Sequence, residues 1–156
     1  MNRRTGIPTF HQLNHSECEA LLAAHHVGRL GFTFRDRVDI EPVHYVYADG
    51  TIYGRTQFGT KVEILAHHPW VAFEVDEVMS LFEWRSVVVH GQIVFPDPEG
   101  ATTDREHYER GVAAFRQLVP AAFSTDDPTP ARQLVFMIHV NELAGRAATM
   151  DEESMP

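Results

Sequence analysis

Alternation of apolar and polar residues, rather than helical periodicity, organises this chain. From Gly28 to Phe34 the side chains of Leu30, Phe32 and Phe34 fall on one face, the period-two pattern of a half-buried strand. Arg35-Asp36-Arg37 reads as the turn out of it, and Val38 to Tyr47 forms a second strand. There Ile40, Pro42, His44 and Val46 share one face, opposite Val43, Tyr45 and Tyr47. Proline cannot donate to a ladder, so part of this strand belongs at an edge or a bulge. Asp49-Gly50 is a tight-turn dipeptide, and Thr51 to Thr56 returns as a third strand. Trp70 to Val78 and the long Leu81 to Phe95 supply the fourth and fifth, and Gln133 to Val140 the sixth.

Three short helices interrupt the strands. Ser16-Glu17-Cys18-Glu19 reads as a capping box ahead of Ala20 to Ala24, with the helix ending near His25-His26. Thr60-Lys61-Val62-Glu63 is a second box, which makes Lys61 the first helical residue of a helix that stops before Pro69. Thr103-Asp104-Arg105-Glu106 caps a third, running to about Leu118 and stopping at Pro120. Ser124 to Pro130 is a proline-punctuated loop. Consecutive short strands with tight turns and few helices predict a β-dominated α+β fold, a closed antiparallel barrel rather than a doubly wound sheet. One domain over 1–150 is expected, followed by an acidic tail, 151–156.

Charge narrows the function. A net charge of −9 over 156 residues excludes a general nucleic-acid-binding surface, while leaving room for a local basic pocket that takes a small anion. The single cysteine, Cys18, excludes an intrachain disulfide and reads as a small buried hydrophobe on the first helix. No stretch approaches the roughly 18 apolar residues of a membrane span. The first ten residues lack the apolar core of a secretion signal, so a cytoplasmic location is expected.

Lys61 is the only lysine, against twelve arginines. A cation where a helix begins is electrostatically misplaced, because that end already carries about half a positive charge. A bound phosphate removes the conflict; the alternative is a solvated lysine whose ammonium swings away. Arg55 and Thr56, which end the third strand, lie close by in sequence and strengthen the phosphate reading. In the fifth strand Trp84, Ser86 and Val88 alternate with Arg85, Val87 and Val89, so Arg85 is a charge within an otherwise apolar run. Ten histidines include the pair His11 and His15 at i, i+4, but no His-Glu-x-x-His and no cysteine cluster, so no metal site is expected. His44 reads either as a satisfied strand histidine or as a polar group facing a substrate.

Taken in order, Pro42-Val43-His44-Tyr45-Val46-Tyr47, Asp49-Gly50, Ile52-Tyr53-Gly54-Arg55-Thr56, Gly59-Thr60-Lys61, His68-Pro69 and Trp84-Arg85-Ser86-Val87-Val88-Val89-His90-Gly91 resemble the pyridoxamine 5'-phosphate oxidase-like flavoproteins. Within them the chain is most similar to the branch containing the nitroimidazole-resistance proteins. The resemblance implies a six-stranded split barrel that binds FMN at a homodimer interface. It implies that Arg55, Thr56 and Lys61 hold the FMN phosphate and that Val43, His44, Tyr45 and Val46 run along the isoalloxazine ring, partly through backbone groups. Arg85, Ser86 and Val87 would approach the cofactor from the fifth strand, with Trp84 nearby. The oxidase proper has an arginine before the lysine and a glutamine at the Ser86 position. Their absence here removes the basis for pyridoxamine phosphate as the substrate. The expected activity is FMN-dependent oxidation or reduction of a small flat molecule such as a nitroaromatic. A deazaflavin-dependent reductase and a non-catalytic flavin- or haem-binding module remain the alternatives. None of these needs a catalytic triad, and none is legible.

Overall fold

The computed structural model describes residues 6–150, which run β1 (Pro8–Leu13), α1 (His15–Ala24), β2 (Val27–Phe34), β3 (Arg37–Ala48), β4 (Thr51–Thr56), α2 (Thr60–His67), β5 (Trp70–Ser80), β6 (Glu83–Val94), α3 (Thr102–Leu118) and β7 (Leu134–Met150). The acidic tail lies outside the described residues. No helix among them is long and apolar enough to cross a membrane.

Two-residue turns fold the first meander. Phe34 pairs with Arg37 across Arg35-Asp36, and Ala48 pairs with Thr51 across Asp49-Gly50. All four turn residues have positive φ, between 48° and 74°, as the hairpin turns matched to strand twist require. Gly50 takes the largest of these at no steric cost.

Every strand pairing is antiparallel. The order β7-β4-β3-β2-β5-β6 returns to β7, closing six strands into a ring that leaves little edge exposed. The split barrel and its β-dominated class are therefore as expected, with one addition. A seventh strand, β1, pairs with the second half of β7, which continues past Val140 to Met150. β3 explains the split. Its first half, through His44, pairs only with β2, and only Tyr45 to Ala48 pair with the short β4. Pro42 sits in that half-paired stretch, where its missing N–H leaves no ladder bond unmade.

The barrel interior is packed with side chains: Leu30, Tyr45, Ile52, Phe73, Val87, Val89 and Ile138 are all fully inaccessible. α1 and α2 add Leu21, Leu22 and Leu65 to this core, and Cys18 is buried there, its thiol pushed up by burial. A second, smaller core of Tyr53, Ala114, Phe115, Ala122 and Met137 lies between α3 and the outer side of β4 and β7.

All three helix caps differ from expectation; α3 is capped at Ala101 rather than Thr103, and no side chain caps it. α1 begins two residues earlier, on Asn14, whose side chain accepts from Glu17 N–H while Glu17 returns to Asn14 N–H. Glu19, the partner expected for Ser16, instead accepts from the Tyr47 hydroxyl at 3.1 Å and meets His15 at 3.0 Å. Gly59, not Thr60, is the N-cap of α2, and no side chain caps that helix.

Candidate functional site

A filled barrel leaves a ligand only the outside. Three of the expected site residues point their side chains inward: Val43, Tyr45 and Val87 belong to the core, and the Tyr45 hydroxyl donates to the Leu22 carbonyl at 2.7 Å. Only the backbone of these three could meet a cofactor.

Arg55 has a different role from the expected phosphate ligand. Strand alternation turns it outward, beneath the loop that follows α3. Its Nε donates to the Arg132 carbonyl at 3.0 Å, Nη1 to Asp127 and Thr129, and Nη2 to Asp127 and again to the Arg132 carbonyl at 2.7 Å. Those bonds use the five donors of a guanidinium. The group also lies 4.0 Å from the Phe123 ring centroid, a cation–π stack. Hydrogen bonding from Arg55, helped by the N–H groups of Thr129 and Phe123, holds the Asp127 carboxyl well below the usual carboxylate range against the opposing effect of burial. Arg55 is thus a clasp on the 119–133 segment, with no donor left over for a phosphate. Thr56, also buried, offers its hydroxyl to the Gln57 carbonyl at 3.5 Å.

Lys61 stands apart from Arg55, as the second residue of α2. Its Nζ meets Glu41 on β3 at 2.7 Å, in the stretch that β4 leaves unpaired. Around it the start of α2 is open: the N–H groups of Val62 and Glu63 turn back to the Gly59 carbonyl, and a side chain built on Gly59 would meet nothing. That leaves the N–H groups of Thr60 and Lys61 as the backbone donors an anion could meet there.

On β6, Trp84 and Ser86 face outward and the Phe10 ring lies 6.3 Å from Trp84. Ser86 donates to Glu74 at 3.1 Å; Glu74 and Asp76 in turn stand 3.5 and 3.4 Å from Arg29. Burial, with Asp76 beside it, pushes the Glu74 carboxyl up, and its Oε1 makes no hydrogen bond. Arg85 is half exposed, 4.0 Å from Glu77. The outward side of β3 and the start of β5 are unusually apolar: Val38 is 68%, Ile40 69% and Trp70 58% exposed.

His44 and Arg55 do share a cavity. It measures about 360 Å³ and is walled by Val27, Phe115, Leu118, Val119 and Pro128, with His26 and Arg132 at its polar side. Val46, next on the same face of β3, packs against the smaller core. Among the described residues no three metal-binding side chains cluster.

A family model for pyridoxamine 5'-phosphate oxidase matches residues 14–147. The chain belongs to the pyridoxamine 5'-phosphate oxidase family. Solved relatives agree with the architecture. An FAD-binding protein from Mesorhizobium loti is 27% identical, with 90% of this chain and 99% of that one covered at a TM-score of 0.73. A candidate 5-nitroimidazole antibiotic resistance protein from Bacteroides thetaiotaomicron is 16% identical, covering 97% and 96% at a TM-score of 0.67, a likeness of fold. An uncharacterized protein of Rhizobium meliloti is 26% identical over 90% of this chain and 96% of its own length.

A flavin nucleotide carries phosphate, at its end in FMN and as an internal pyrophosphate in FAD. The open start of α2 and Lys61 fit that group, and Glu41 must let go of Lys61 for it. Arg55 does not fit it. Sequence spacing missed Glu41, Asp127, Arg132 and His26; of these, only the His25-His26 pair carried any local signal.

Proposed function

We propose that this protein is a flavoprotein that binds FMN between two copies of the chain and acts as an oxidoreductase on a small flat molecule, a nitroaromatic being one example. The observation that carries the reading is the exclusion of any ligand from a filled barrel whose outer strands expose Val38, Ile40 and Trp70. A ring system as broad as a flavin needs two walls, and a second copy laid on this apolar face supplies the other. The single phosphate seat at Lys61 suits a mononucleotide. A dinucleotide is the second reading, favoured by the FAD-binding relative from Mesorhizobium loti.

Bound there, the flavin supplies the electron and hydride transfer. The chain's own residues do the rest: Lys61 and the first N–H groups of α2 hold the phosphate, and the backbone of β3 orients the ring. Ser86 and Trp84 line the approach from β6, and the apolar strands exclude water. A cytoplasmic setting accords with one buried, unpaired cysteine.

Absorption of the purified protein tests this. A flavin doublet, with FMN as the species released by heat, is the expected result, and dilution should release cofactor as dimers part. A Soret band gives the site to haem; colourless protein that takes up neither FMN nor FAD refutes the flavin reading.

A further inference from the structure

The cavity under the 119–133 segment carries more than a wall for Arg55. Its size falls at the lower end of small-molecule sites. Its apolar walls are open to solvent, with Val27 50% and Leu118 42% exposed. The polar side has a defined donor pattern. Arg132 can only donate, and its Nη1 lies 2.8 Å from His44 Nδ1, so in that bond Nδ1 is bare and His44 Nε2 carries the proton. The Tyr45 carbonyl can only accept, and it lies 3.2 Å from His26 Nδ1, so His26 keeps a proton there and presents Nε2 as an acceptor.

Arg132 also has no counterion. In a chain of net charge −9, its guanidinium meets His44 and no carboxylate among the described residues. Its position does not depend on that side chain, because its own carbonyl is gripped by two nitrogens of Arg55, at 3.0 and 2.7 Å. The clasp thus holds a guanidinium with donors to spare over an apolar slot.

We propose that this cavity binds a small planar aromatic carboxylate, with the carboxylate on Arg132 and the Nε2–H of His44 and the ring against Phe115, Leu118 and Val119. A ring donor would find His26 Nε2. The inference goes beyond the flavin reading and does not require it.

Calorimetric titration of the full-length protein as purified, with 4-nitrobenzoate and with its neutral analogue 4-nitrobenzamide, tests the proposal. The carboxylate should bind roughly tenfold to a hundredfold more tightly than the amide, the worth of one charge-assisted contact. Arg132→Gln should bring the carboxylate down to the amide's level, since the backbone grip on residue 132 is untouched. Leu118→Trp, at a half-exposed position, should fill the slot and weaken both. Equal affinities in the unaltered protein, binding of neither compound, or full 4-nitrobenzoate affinity in Arg132→Gln would each overturn it. So would competitive displacement of 4-nitrobenzoate by FMN, which gives the cavity to the cofactor.

Discussion

Lys61 and Glu41 form a pair whose two halves should move flavin affinity in opposite directions. Their contact is short, 2.7 Å, but Lys61 is 22% and Glu41 43% exposed, so the pair is worth only about 0.2–1 kcal/mol. A charge-assisted bond from the same ammonium to a phosphate is worth about 1.5–3 kcal/mol. Binding FMN therefore exchanges a weak partner for a strong one. Lys61→Met forfeits the difference, about 0.5–2.8 kcal/mol, which is roughly a two- to hundredfold loss of affinity. Glu41→Gln removes the competitor and should tighten FMN binding by up to about fivefold, from the upper end of the pair's worth. The doubly substituted protein should match Lys61→Met alone, because Glu41 acts only through Lys61.

Fluorescence titration of stripped protein with FMN measures all four affinities, and unchanged thermal melts confirm that the fold is not the variable. The contrast in sign refutes sharply. If Glu41→Gln weakened FMN binding, or if Lys61→Met left it unchanged, the phosphate would not sit at the start of α2. A half-exposed ion pair elsewhere on the surface would affect affinity in neither direction.

Two further outcomes concern the frame around the site. Asp127 has a folded-state pKa depressed chiefly by Arg55, so its stabilisation is present above the unfolded carboxylate pKa, near 4, and is lost as pH falls through the lower folded value. Asp127→Asn should lower the melting temperature at pH 7 and flatten its fall below pH 4, as followed by circular dichroism; an unchanged acid limb would remove the clasp from the stability account. Gly54→Ala should destabilise by about 1–3 kcal/mol or more, since the new methyl would lie 1.9 Å from the buried Phe136 ring. An unshifted urea midpoint would show that the ring moves freely.

What the sequence made legible was whatever depends on neighbours in the chain. Thr51 to Thr56 was read to its ends because alternation and the Asp49-Gly50 turn are both local. β1 escaped because Thr9, Phe10, His11 and Gln12 are all exposed, which leaves an edge strand with no buried face to impose a period. The second half of β7, Ala-rich and lacking strand character, is extended because β6 and β1 pair with it on either side. The capping boxes failed for a related reason: Asn14-x-x-Glu17 and Ser16-x-x-Glu19 are both well formed in sequence. The fold decides between them by placing Tyr47 where it draws on Glu19.

The error over Arg55 shows how local reading misplaces a site. Arg55 and Lys61 are six residues apart, and that nearness suggested one converging set of donors. A strand converts sequence nearness into divergence, since each residue turns to the opposite face from the last. Thr56 turns inward, Arg55 turns outward beneath α3, and the chain then leaves the sheet before Lys61 begins a helix. The partner that claims Arg55 lies 72 residues away, in a loop with no periodic signal. Phosphate chemistry and the clasp consequently occupy separate places: Lys61 works against Glu41 at the unpaired half of β3, while Arg55 holds the segment that brings Arg132 to His44. Both sites touch β3, at Glu41 and His44, but three residues apart on a strand turns those two side chains to opposite faces, so the phosphate seat and the cavity lie on opposite sides of that strand.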